Sequence, residues 1–249
     1  MYFGGILSNP TMIILIILII SNFARYINTP GKIIAMILSL PAILIAITFH
    51  EYAHAFVADK LGDDTPRKQG RLTLNPLKHI DLYGMALLLF VGFGWGKPVE
   101  TNPNNFKRTI SLKKGNALVS LAGPVMNFIL AILFSIILAL YLRFGFIFVM
   151  TNPVGNTLAL IIRYTIIINV GLGVFNLIPL PPLDGSKILV ALLPEKARAW
   201  YINNERWLYI VFIVIWITPI ASMIISPIIG GINNVLLQLI YTIAGKILI

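Results

Sequence analysis

The sequence predicts an all-α integral membrane protein with five to six transmembrane helices and a re-entrant hairpin between the second and third spans. Three observations predict this. Apolar runs of about 20 residues recur along the chain, which is the length an α-helix needs to cross the hydrocarbon core. Charged residues make up 11% of the chain and hydrophobic ones 58%, whereas a soluble domain is about 25% charged. Lysine and arginine concentrate in a few polar segments between the runs, which sets the orientation of the spans.

Taken in order, the expected spans are 6–24, 33–58, 117–142, 157–179 and 207–228, with 231–249 a weaker sixth. The first run lacks a basic leading region, so it reads as a span and not as a cleaved signal peptide. Between the second and third spans, residues 59–116 are polar, basic and rich in Gly, Pro and Asn. They enclose one apolar insert, YGMALLLFVGFGWG at 83–96. If the insert crossed the membrane, twelve Lys and Arg would lie on one side and six on the other. If it dips in and returns, the split is fifteen to three, with Arg163 left out as lying inside a span. Positive charge favours the cytoplasmic side, so the re-entrant path is expected, with 59–116 and 185–206 both cytoplasmic. A short, tilted helix crossing the bilayer is the alternative.

The formal charge of +10 is explained by these loops and their contact with lipid headgroups, so no nucleic-acid partner is expected. With no cysteine in the chain, thiolate chemistry and disulfides are excluded, and any metal must take nitrogen and oxygen ligands.

Inside the second span lies His50-Glu51-Tyr52-Ala53-His54. Histidines at i and i+4 share one helix face and can reach one metal, and the adjacent glutamate is placed to take a proton from water. Each ionisable group in a membrane span costs roughly 2.5–3.5 kcal/mol, which argues for use. The alternative is a pair of histidines hydrogen-bonded between helices. A catalytic zinc site needs a third protein ligand. Asp184 is the candidate, because it ends an apolar span in FNLIPLPPLDG at 175–185, where three prolines break the helix. Only the re-entrant path places Asp184 and the histidines toward the same side. By helix rise, His50 sits about 12 Å from the cytoplasmic end of its span at Ala58.

HEYAH in a span followed by NLIPLPPLDG resembles the site-2 protease family of intramembrane zinc metalloproteases. GRLTLNPLKHID (70–81), GFGWGKPV (92–99) and AGPVMN (122–127) are similar to a compact prokaryotic branch without PDZ or CBS domains. The resemblance covers roughly 33–190, the expected catalytic core of a single domain over 1–249, with 6–24 and 207–249 peripheral. It implies one Zn2+ per chain held by His50, His54 and Asp184, Glu51 as general base, and Asn176 near the metal as an oxyanion donor. It also implies a Gly92-Phe93-Gly94 edge that holds an unwound substrate segment, and transmembrane proteins as substrates. Asn127 is a further candidate substrate contact beside the site. Packing between helices is the rival role for both asparagines. His79 and Asp81 could bind a second metal or brace the loop. A zinc transporter using the same ligands is the alternative function.

Overall fold

The computed structural model describes residues 29–91 and 94–245. The expected first span, 6–24, lies outside them. Helix α1 (Pro30–Leu61) carries the HEYAH motif. The short α2 (Thr65–Lys68) and α3 (Leu82–Val91) follow. Then come α4 (Leu112–Thr151), α5 (Pro153–Asn176), α6 (Asp184–Leu192), α7 (Glu195–Asn203), α8 (Glu205–Ile217) and α9 (Ile220–Ala244). Helices α1, α4, α5 and α9 are long and apolar enough to cross a membrane.

The bundle forms around α4, which packs against α1, α5, α6 and α9. Alanines at 42, 46, 53 and 55 are buried on α1. Small side chains let membrane helices approach closely, where packing replaces the hydrophobic effect as the driving force. A second cluster joins Ala131, Leu138 and Ala139 of α4 to Ile166, Val170 and Val174 of α5 and to Leu236 and Ile240 of α9. At 40 residues α4 would measure about 60 Å, twice the hydrocarbon core. Gly145 leaves helical geometry inside it (φ −112°, ψ 18°) and splits it into two directions. Asn152 then caps α5 by accepting from the Val154 N–H at 2.9 Å, with Pro153 at the first helical position.

The apolar insert returns to where it starts. Ile80 and Gly96 form an antiparallel bridge, and the Lys97 N–H donates to the His79 carbonyl at 2.8 Å. Gly84 of α3 and Gly94 press backbone to backbone: a Cβ on Gly84 would collide with the Trp95 carbonyl and one on Gly94 with the Gly84 carbonyl. The two flanks of the insert therefore emerge side by side, as the charge bias predicts.

One boundary differs from the sequence reading. The chain breaks at Thr218-Pro219, and α9 then runs unbroken through Pro227 and Gly230-Gly231. Thr218 is extended (ψ 164°) because the following proline ring excludes the helical conformation. Hydropathy does not register this, so the expected spans 207–228 and 231–249 become α8 and α9.

Helix α1 ends at Gly62, whose φ of 110° is open to glycine at little cost. Asp63 then takes over as anchor. Although fully buried, it accepts from the Thr65 N–H (3.1 Å) and hydroxyl (2.5 Å), the Asn102 N–H (2.6 Å) and the Asn105 amide (3.0 Å). Burial acts to raise its pKa, but these hydrogen bonds outweigh it and hold the carboxyl below the usual range. A depressed folded-state pKa stabilises above the unfolded value, near 3.9, and that contribution is lost as pH falls through the folded value. Asp63→Asn is therefore expected to lower stability by about 1–3 kcal/mol at neutral pH and to flatten the fall of the thermal midpoint in acid. Melting the detergent-solubilised protein from pH 7 to pH 3 checks this; parallel curves for both proteins would remove Asp63 as the anchor.

Candidate metal centre and active site

The HEYAH segment stays helical through His54, so both imidazoles leave one face of α1 and cross edge to face, with ring centroids 4.6 Å apart. Asp184 arrives from 130 residues away as the first residue of α6. The preceding turn, 177–183, contains the Pro181-Pro182 cis peptide and is tied to α7 by the Tyr201 hydroxyl, which donates to the Pro179 carbonyl at 2.9 Å. The three ligand atoms form a nearly equilateral triangle. His50 Nε2 and His54 Nε2 lie 3.1 Å apart, and Asp184 Oδ2 lies 3.2 Å from the first and 3.1 Å from the second. Tetrahedral zinc with bonds of about 2.0–2.1 Å spaces its ligands about 3.3 Å apart. Among the described residues this is the one cluster of three such donors.

The far sides of the rings fix their tautomers. His54 Nδ1 is 2.7 Å from the Val119 carbonyl, which can only accept, so Nδ1 carries the hydrogen. His50 Nδ1 faces Asn127 Oδ1 at 2.7 Å. The orientation of that amide is set in turn: Asn127 Nδ2 donates to the Ala46 carbonyl (3.2 Å) and to Asn169 Oδ1 (2.9 Å), and Asn169 Nδ2 donates to the Thr165 carbonyl (2.8 Å). Every step ends on an acceptor, so the chain of amides has one consistent direction. With Nδ1 carrying the hydrogen on both rings, the second nitrogen of each, Nε2, is the one turned to the point the Asp184 carboxylate faces. Two imidazole nitrogens and a carboxylate oxygen converging at these distances match the nitrogen and oxygen donors zinc takes, so the donor set fits zinc.

Gly123 makes room for this. A Cβ there would come within 2.7 Å of His50 Nε2 and closer still to His54 Nε2. Asn127 is fully buried and engaged on three sides, by His50, the Ala46 carbonyl and Asn169. Sequence reasoning missed Asn169 and Thr165. Their signal was present: polar residues at i and i+4 inside an apolar span, on the face that α5 buries.

Glu51 has one oxygen held and one open. Oε2 accepts from the Val99 N–H at 2.9 Å. No described residue donates to Oε1, which lies beside Gly96. The strand carrying Val99 is pinned by Lys97, whose N–H donates to the His79 carbonyl and whose carbonyl accepts from the Arg71 guanidinium. Asn176 closes α5 with its amide donating to the Leu172 carbonyl at 3.0 Å. Of the expected glycine edge, Gly92 and Phe93 lie outside the described residues, while Gly94 packs on Gly84. His79 braces the loop: it is fully buried, with Nε2 2.7 Å from the Thr73 carbonyl. Burial pushes its pKa down, so it is neutral at pH 7. Asp81 accepts from the Gly84 N–H at 2.8 Å and starts α3.

The bundle thus brings three potential metal ligands together beside a carboxylate, with both histidines inside a membrane-length helix. The chain belongs to peptidase family M50, whose sequence pattern matches residues 38–162 and 145–219. It is 40% identical over 206 residues to YwhC of Bacillus subtilis, named a zinc metalloprotease, covering 83% of this chain and 92% of that one. It is 32% identical over 187 residues to Rip2 of Mycolicibacterium smegmatis, also named a zinc metalloprotease, covering 74% and 68%. A shorter match, 28% over 81 residues, is to the regulator of sigma-W protease RasP of Bacillus subtilis and covers 32% of this chain and 19% of that one. No solved structure matches the chain. The protein is thus a zinc metalloendopeptidase of the site-2 type.

Because any side chain at 123 intrudes on both Nε2 atoms, Gly123→Ala is expected to lower zinc content well below that of the wild type while the helical content stays. Elemental analysis beside circular dichroism measures both; full zinc occupancy in that variant would show that the triad tolerates the intrusion.

Proposed function

We propose that this protein cleaves peptide bonds in or near transmembrane segments of other membrane proteins, using His50, His54 and Asp184 to hold one zinc and Glu51 as general base. The observation that carries the proposal is the convergence of three ligand atoms from α1 and α6 to about 3.1–3.2 Å of one another, within a span. When bound, zinc acts as a Lewis acid that polarises a carbonyl and acidifies water. Glu51 Oε1 takes the proton of the attacking water and delivers it to the leaving amine, while the Val99 N–H holds Oε2 and fixes the direction of the carboxylate. Asn127 and the Val119 carbonyl keep both rings in the metal-binding tautomer.

His50 lies eleven residues before the end of α1, about 16 Å of helix from the interface. A substrate bond reaching that depth leaves its own helix first, because a helical carbonyl is already hydrogen-bonded. The extended segment then pairs by backbone with the edge around Gly92-Phe93-Gly94, and Asn176 supports the oxyanion. Residues 59–116 and 185–206 face the cytoplasm of a prokaryotic cell, and the site is reached from that side. The chain acts as one membrane-embedded domain, with 33–190 as its catalytic core. The relative RasP carries a name that ties it to sigma-factor regulation, and single-span regulators of that kind are the substrate class to test first.

A zinc transporter with the same ligands would not need Glu51 as a base. Glu51→Gln is expected to keep about one zinc per chain and to lose cleavage of a co-expressed single-span reporter by at least a hundredfold. Zinc flux in that variant with the reporter intact in the wild type would favour transport. His54→Ala and Asp184→Ala are each expected to lose zinc, and retention of zinc by Asp184→Ala would reopen the choice of third ligand.

A further inference from the structure

Among the described residues, helix α9 is the least covered of the membrane-length helices: 11% of its most apolar window is buried inside the fold, against 33% for α1, α4 and α5. One face, carrying Ile232, Leu236, Ile240 and Ile243, packs on α4 and α5. The opposite face carries Pro227, Gly231, Asn234, Gln238 and Tyr241, all exposed. Their spacing is four, three, four, three, the seam along which two helices interlock knobs into holes. Nothing lies within 4 Å of where a Gly231 Cβ would stand, so a second backbone can approach.

Asn234 lies about 21 Å along α9 from Ile220 and about 15 Å from Ala244, near mid-bilayer, and Gln238 is one turn further. Neither side chain makes a hydrogen bond to any described residue. Primary amides without partners in hydrocarbon are expensive, and interhelical hydrogen bonds relieve them.

We propose that this seam is where two copies of the chain meet as a parallel homodimer about a two-fold axis along the membrane normal. Copies insert with the same orientation, so that axis brings each residue opposite itself at equal depth. An amide carries both an acceptor oxygen and N–H donors, so its partial charges complement those of its own image. Asn234 meets Asn234 and Gln238 meets Gln238, with Gly231 at the close approach. A single polar residue in such a seam sets register and oligomeric state.

The chain has no cysteine, so a single introduced thiol reports on contact without background. Tyr241→Cys leaves both amides intact and is expected to form a disulfide-linked dimer on mild oxidation in native membranes. Leu133→Cys, a lipid-facing control on α4, should stay monomeric. Adding Asn234→Leu and Gln238→Leu to Tyr241→Cys should reduce the crosslinked fraction at least tenfold with zinc content unchanged, which shows that the fold is intact. Crosslinking that survives the two leucines would overturn the role of the amides. Monomeric Tyr241→Cys, whether its thiol stays open to a lipid-soluble maleimide or is covered by another part of the chain, would overturn the dimer.

Discussion

Two imidazole lone pairs and one carboxylate oxygen meet at a point inside a membrane span, and the rest of the structure serves that meeting. Left alone, the three donors repel, and each costs free energy to remove from water. Their positions persist because other groups leave them no alternative. The Val119 carbonyl holds one ring and Asn127 the other. Asn127 is held by the Ala46 carbonyl and by Asn169, and Asn169 by the Thr165 carbonyl. The orientation of His50 on α1 thus depends on a main-chain oxygen of α5, two amides away. Half-satisfied networks of this kind destabilise a core, while fully satisfied ones specify it.

The same constraint explains the backbone around the site. Gly123 exists where α4 passes close against the triad, and Gly185 where the turn before α6 doubles back on Leu177 and Ile178. The re-entrant hairpin does comparable work for Glu51. Its descending flank at His79 and its returning flank at Lys97 pair with each other, and the strand that continues to Val99 reaches Glu51. The buried Arg71 ties that strand from outside. A segment too short to cross the membrane therefore gives the Glu51 carboxylate a fixed direction.

Membrane spans are read from length and hydropathy, and those of α1, α4 and α5 agreed with the structure to within a few residues, apart from the extension of α4 past residue 142. The failure at 207–249 has a simple physical cause. Hydropathy averages over residues, but a helix is broken by one backbone event. Thr218-Pro219 supplies that event within an apolar run, whereas Pro227 and two glycines are absorbed by α9.

The sequence by itself determined the membrane class, the helix that carries His50, Glu51 and His54, the re-entrant path and the identity of the distant carboxylate candidate. These are local or additive properties: spacing along one helix, summed transfer energy, summed charge. Tertiary structure decided what no local pattern encodes. It brought Asp184 to the histidines, set Asn127 against His50, recruited Asn169 and Thr165, and set the Val99 N–H on Glu51. Each of these joins residues far apart in sequence, and hydrogen-bond direction depends on which acceptor packing brings within about 3 Å.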